Sequence, residues 1–476
     1  MQFNNLKPGG RSWLPLALGA GVVVAVVCAI GFLGFSIFVY EPAPPDPPPA
    51  PTPTVKVVTF VEENSSEATA PPNVPTATPV PAQGGGTPPT SPPAPTDPPP
   101  DAEPAPSSTA LPPTPLPAKE GPTPMRSPDY GMQVFLFWRE EIAHRDLQLV
   151  QEAGFTWVKQ EFAWREIEAA GKGEFDWTNS DRIIDQVDAA GLNLIARLGV
   201  QPQWATPGLS LPEVGPPNNY QDFADFVFAI ASRYRGRIDA YQIWNEPNLA
   251  REWGNRPPNP QEYSQLLCLA YDAVKRADPN AYVISAGLAP TTRWDDVAVP
   301  DTVFIQGMYD AGAKPCFDLL GAHGAGYKSP PETDPAVIAA DPNLSNPGDH
   351  ASGVPEELRR VYGFRHVEDV RQVMVHNGDA DKRVVLLEFG WTIDPRPNSP
   401  YFWHRVSEDE QADYFVRAFQ YAREHWQPWI AVMSLIYVAN PEWTVDDEQT
   451  YWSIVYPKYP DTWLAPAYHA LKAMPK

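Results

Sequence analysis

From residue 131 onward, short apolar runs alternate with longer segments whose apolar positions recur every three to four residues. The short runs lie at 131–137, 155–160, 192–198, 239–244, 281–288, 317–323, 383–388 and 431–437. Their length and apolar character predict buried strands. The longer segments at 140–153, 180–190, 220–235, 260–277, 355–377 and 408–426 predict amphipathic helices. Ser407 stands just before the last of these as an N-cap.

Eight strand-like runs, each followed by a helical or loop segment within residues 128–476, predict one (β/α)8 TIM barrel, an α/β fold of usually about 250 residues that tolerates insertions. A doubly wound open sheet is the competing topology, but no glycine-rich phosphate loop follows any strand. The stretch 328–354, rich in Pro, Asp and Asn, is an expected insertion over the face where the strands end.

The pattern before residue 128 is different. Residues 13–40 are almost wholly apolar and uncharged, longer than the roughly 20 residues that cross a bilayer, and predict a transmembrane signal anchor. Lys7 and Arg11 precede this run while Glu41 and Asp46 follow it. The positive-inside bias therefore keeps 1–12 cytoplasmic and exports the rest to the outer cell surface. Residues 41–127 are dominated by Pro, Thr, Ala and Ser and predict a disordered, extended linker. Much of the 60-proline content belongs to this spacer rather than to packed structure.

Charge and cysteine content narrow the partners. With 58 acidic against 35 basic side chains the formal charge is −23, which argues against nucleic acid. Of three cysteines, Cys28 falls in the apolar run; Cys268 sits in a helical pattern and Cys316 before a strand, and two separate buried thiols are the expectation. No HExxH or clustered His/Cys spacing suggests a metal, so neither metal nor cofactor is expected.

In a barrel of this kind, function gathers where strands end. The fourth run ends in Trp244-Asn245-Glu246-Pro247, and the seventh closes on Glu388 after four apolar residues. Either glutamate alone fits a structural role. Together, on strands four and seven, they face each other across the barrel. Such a carboxylate pair, ~5–5.5 Å apart, is what retaining glycoside cleavage requires.

These residues resemble clan A of the glycoside hydrolases, particularly the cellulase-like family 5 and xylosidase-like family 39, over residues 130–476. The resemblance implies Glu246 as acid/base, Glu388 as nucleophile and Asn245 as donor to the sugar 2-hydroxyl, with a carbohydrate substrate and no cofactor. It also implies donors to the nucleophile from His323 and Tyr327. Lys159 stands where the clan usually has arginine, a departure that keeps charge but not the forked contacts. Arg197 is a second cation near a strand end, and Tyr437 stands where a tryptophan often floors the sugar site. Trp138, Trp164, Trp204, Trp391 and Trp443 follow strand ends, and Trp253 follows Glu246; all are candidates for stacking on sugar rings. Hydrolysis, wall-glycan transglycosylation and a non-catalytic carbohydrate-binding barrel remain the competing readings.

Overall fold

The computed structural model describes residues 121–476 apart from Trp138; the expected anchor, nearly all of the linker and that tryptophan lie outside the described residues. Among the described residues no helix is long and apolar enough to cross a membrane.

Eight parallel strands close into a barrel in sequence order. They are β1 (Asp129–Gln133), β2 (Trp157–Ala163), β3 (Asn193–Gly199), β4 (Ala240–Ile243), β5 (Tyr282–Ile284), β6 (Leu319–Ala325), β7 (Arg383–Gly390) and β8 (Ile430–Leu435). The ring of helices around them is α1 (Glu140–Glu152), α2 (Thr178–Ala189), α3 (Tyr220–Arg233), α4 (Pro260–Ala277), α5 (Asp301–Asp310), α6 (Val367–His376), α7 (Glu408–His425) and α8 (Pro466–Ala473). The TIM barrel expected from the alternation is therefore the observed fold.

Helix starts are written locally. Asn219 accepts from the Gln221 amide to open α3, and Asn259 accepts from Gln261 and Glu262 ahead of Pro260 at the first turn of α4. Ser407 opens α7 with a capping box: it accepts from the Glu410 amide while the Glu410 carboxylate accepts from the Ser407 amide. The segment 355–377, expected as one helix, is broken. Glu356–Arg359 and two 3-10 turns precede α6, because Gly363 is extended and packs close to Pro335 and Ile338.

The core has two layers. Inside the barrel, Trp157, Ile195, Ala240, Ile284, Leu319, Val385, Leu387 and Ala431 fill the lower part. Between strands and helices a much larger apolar layer runs around the ring, Leu386, Phe389, Phe415 and Phe419 among its members. Strand residues alternate between these layers, as the pleat requires.

β7 departs from this alternation. Against β6, Ala322 and His323 pair with Leu386 and Glu388; against β8, Met433 and Leu435 pair with Leu386 and Phe389. β7 thus carries one extra residue there, a β-bulge. Leu387 lies in the inner cluster and Phe389 in the outer one, yet Glu388 between them also turns inward, where Lys159 of β2 meets it.

Cys268 on α4 and Cys316 in the turn before β6 are disulfide-bonded, with Cα atoms 4.7 Å apart, which corrects the expectation of two separate thiols. The turn Lys314–Cys316 packs against α4, a tertiary neighbour that sequence spacing does not reveal.

A Cβ at Gly326, just past β6, would overlap the Trp391 indole. Gly326→Ala is expected to destabilise the barrel by about 1–3 kcal/mol through overpacking, read as a lower midpoint in thermal or urea unfolding.

Candidate active site

The two glutamates arrive by different local devices. β4 ends at Ile243, and the chain then turns through Trp244 and Glu246, both left-handed, with φ of 69° and 41°. Such backbone costs on the order of 1–3 kcal/mol per residue and persists only where surroundings enforce it. Here the Trp244 amide donates to Leu198, its indole N–H to the Glu252 carbonyl, and the Glu246 amide to the Gly287 carbonyl at 3.0 Å. Asn248 fastens the turn from the other side: its Nδ2 donates to the carbonyls of Ala289 and Val299, and its Oδ1 accepts from the Ala289 amide. Glu388 comes from the bulge of β7. Both carboxylates are fully buried.

His323, closing toward the end of β6, joins the pair. Its Nδ1 lies 3.1 Å from Glu246 Oε1 and 4.0 Å from Glu388 Oε2. The two facing oxygens are therefore closer together than the sum of those distances. That limit admits the ~5–5.5 Å separation of retaining glycosidases.

The surroundings separate the two acids. Lys159 Nζ, itself buried, is 2.7 Å from Glu388 Oε1 and also donates to the Leu387 carbonyl. Arg197 Nη1 lies 3.8 Å from the same Glu388 oxygen, while its Nη2 pairs with Glu161 at 2.8 Å. Burial alone would push the Glu388 carboxyl up, but the charges of Lys159, His323 and Arg197 outweigh it and hold it down at about 2. For Lys159, burial dominates over the attraction of Glu388 and lowers the ammonium to about 8. Glu246 faces a different set: Arg251 Nη2 contacts its Oε2 at 2.8 Å, on the side away from His323.

Asn245, next to Glu246, is 7% exposed; its Oδ1 lies 3.4 Å from Gln242 Nε2, and its Nδ2 finds no partner among the described residues. Tyr437, past β8, packs on Phe135 and Trp443. Burial first, then the negative charges of Glu388, Glu448 and Glu246, keep its phenol far above the ordinary range, so it stays a neutral donor.

Several expectations are corrected. His323, expected on the nucleophile, stands between the two acids, 4.0 Å from Glu388 Oε2 and nearer still to Glu246 Oε1. Tyr327 does not reach toward Glu388; its ring sits among Tyr362, Trp403 and His404 in the loops above β6 and β7. Trp391 is core: it follows the last residue of β7 into the helix layer, packs on Phe364, Tyr414 and Phe415, and donates to the Ser329 carbonyl. Trp164 and Trp253 are likewise fully buried in aromatic packing. Lys159, expected near the nucleophile as a stand-in for arginine, is its nearest cation.

Arg251 went unnoticed in the sequence as a site residue. It lies in the 3-10 turn Ala250–Glu252, where no periodicity marks it, and its only signal is proximity to Glu246 along the chain. Among the described residues no group of three or more metal-ligating side chains gathers.

The family model Glyco_hydro_42, described as beta-galactosidase, matches residues 134–226, a stretch that includes neither glutamate. No curated protein matches the chain. Among solved structures, a family 39 glycoside hydrolase from the gut symbiont Bacteroides cellulosilyticus WH2 is similar at a TM-score of 0.53 and 18% identity, over 74% of this chain and 63% of that one. A glucosidase from Croceicoccus marinus is similar at 0.50 and 13% identity, over 74% of this chain and 68% of that one. At these identities the likeness concerns the barrel fold, and this chain spans less than two thirds of the length of the first. The family match, though partial, agrees with the clan A resemblance carried by Trp244-Asn245-Glu246-Pro247 and Glu388.

Two substitutions test the electrostatic arrangement. Lys159→Met removes the nearest cation from Glu388, so its carboxyl must rise from about 2. The acidic limb of kcat/KM on an activated aryl glycoside is then expected to move to higher pH, with a loss on the order of 10²-fold at neutral pH. Gly287→Ala would place a Cβ onto the His323 imidazole. A folded but strongly impaired protein is expected, seen as native circular dichroism with reduced turnover.

Proposed function

We propose that this chain is a retaining glycosidase that cleaves β-linked oligo- or polysaccharides by double displacement. The observation that carries the reading is the pairing of two buried carboxylates with unequal partners. Glu388 is held ionised by Lys159 and Arg197, while Glu246 shares His323 with it across a short gap.

In the first step Glu388 attacks the anomeric carbon, and Glu246 delivers its proton to the departing glycosidic oxygen. In the second, Glu246 takes a proton from water, and that water displaces Glu388 from the same carbon. Burial of both groups gives each charge its full effect, since little water competes. In this reading the Nδ2 of Asn245 donates to the 2-hydroxyl of the sugar on Glu388, a contact that strengthens as the ring flattens. Tyr437, with Phe135 and Trp443 beside it, supplies an aromatic floor and a neutral hydroxyl.

The proposed setting is the outer cell surface, with the barrel tethered by the apolar run 13–40 and the proline-rich segment that follows. The Cys268–Cys316 bond supports an oxidising compartment, because disulfides are rare in reducing cytosol.

The test is to follow product anomer by NMR on a panel of aryl β-glycosides and β-glucans, with Glu246→Ala and Glu388→Ala alongside. Retention in the wild type, loss in Glu388→Ala, and rescue of Glu246→Ala by azide, which displaces Glu388 from the glycosyl intermediate to give a glycosyl azide of retained configuration, are expected. Sugar binding without turnover on every substrate would sink the enzymatic reading in favour of a display barrel.

A further inference from the structure

Arg251 sits oddly for a residue touching an acid catalyst. Its Nη2 is 2.8 Å from Glu246 Oε2, a charge-assisted contact that requires a negative carboxylate. When Glu246 acts as the acid it carries a proton, and a protonated carboxyl no longer neutralises a guanidinium. Arg251 then needs another anion, because the buried part of its charge would otherwise stand unpaired.

The protein does not supply that anion fully. The other carboxylates in the field of Arg251 are Glu252 and Glu448. Burial is the largest influence on both and pushes each up to about 8, so each is mostly neutral near pH 7. Tyr401, also nearby, is held neutral by burial. Meanwhile the Arg251 side chain keeps 33% of its surface open. That open part is available to something that arrives from solvent.

Direction follows from the two oxygens of Glu246. Oε1 faces His323 and the nucleophile, and Oε2 faces Arg251. Arg251 therefore touches the acid itself, and since that acid protonates the leaving oxygen, the departing sugar on this reading passes beside Arg251.

Resting on the glycosidase reading, we propose that Arg251 recognises a carboxylate on the leaving-group sugar, so that the preferred substrate carries a uronic acid immediately beyond the scissile bond. A planar carboxylate matches the guanidinium fork, and it would pair with Arg251 while Glu246 still holds its proton. The overall charge of −23 slows the approach of an acidic glycan, but salt screens charges beyond a Debye length of ≈ 8 Å, while Arg251 acts at contact.

The experiment uses the full chain and matched β-linked disaccharides that share a glycon and differ only in whether the leaving sugar is a uronic acid or its neutral counterpart. An aryl glycoside of the same glycon reports the basic chemistry. The expected result is a kcat/KM at least about tenfold higher for the acidic disaccharide, as a charged hydrogen bond would give. That ratio falls to near one in Arg251→Gln and is partly kept in Arg251→Lys, whatever happens to absolute rates. A wild-type ratio near one, or a preference that survives Arg251→Gln, overturns the proposal. Calorimetric binding of the same disaccharides to Glu388→Ala separates the two readings. If no aryl glycoside is cleaved, the glycosidase reading fails, and selective binding of the acidic sugar still decides for Arg251 while equal binding decides against it.

Discussion

The ion pair between Lys159 and Glu388 is the constraint around which the site is arranged. Two opposite charges lie 2.7 Å apart with essentially no exposure, at the centre of a barrel whose lower half is filled with aliphatic and aromatic side chains. A buried pair of this kind rarely adds net stability, because the cost of removing both charges from water rivals their attraction. Its value lies in fixing a protonation state. It also forces further compensation nearby: Arg197 adds a second cation, and Glu161 balances Arg197 in turn.

That compensation explains why strands β2, β3, β6 and β7 each contribute a polar residue at one level of the barrel. Lys159 and Glu161 lie on β2, Arg197 on β3, His323 on β6 and Glu388 on β7. Beneath this level the interior is dry and apolar; above it lie the loops. The polar layer is thus a closed electrostatic unit spanning several strands, which makes it sensitive to the register between them. The left-handed turn at Trp244 and Glu246 adds the fourth strand to the unit at a cost in backbone strain, offset by hydrogen bonds to β3, to the Glu252 carbonyl and to the loop after β5.

What the sequence discloses follows the range of the interactions involved. Strand and helix periodicity is local, so the barrel, its N-caps and the two strand-end glutamates are legible. Pairings that depend on register or on tertiary neighbours are not. The inward turn of both Leu387 and Glu388 cannot be read from the sequence, because alternation counted along one chain cannot register a bulge. Trp391 reads as a subsite residue because it follows a strand end, but strand length alone does not say which way the ring turns. Cys268 and Cys316 belong to separate βα units, and only the packing of the turn before β6 on α4 brings them together. Arg251 sits in a short 3-10 turn with no pattern to expose it.

The bulge has an evolutionary corollary. Since Glu388 faces inward only by virtue of one supernumerary residue, removing a single codon in that stretch of β7 would rotate the carboxylate into the helix layer or exchange it for Leu387. The closed barrel, with its cleft, His323 and Asn245, would remain. A lineage could thereby pass from turnover to mere sugar binding without replacing either glutamate, and a gene inspected only for the presence of both residues would still look intact.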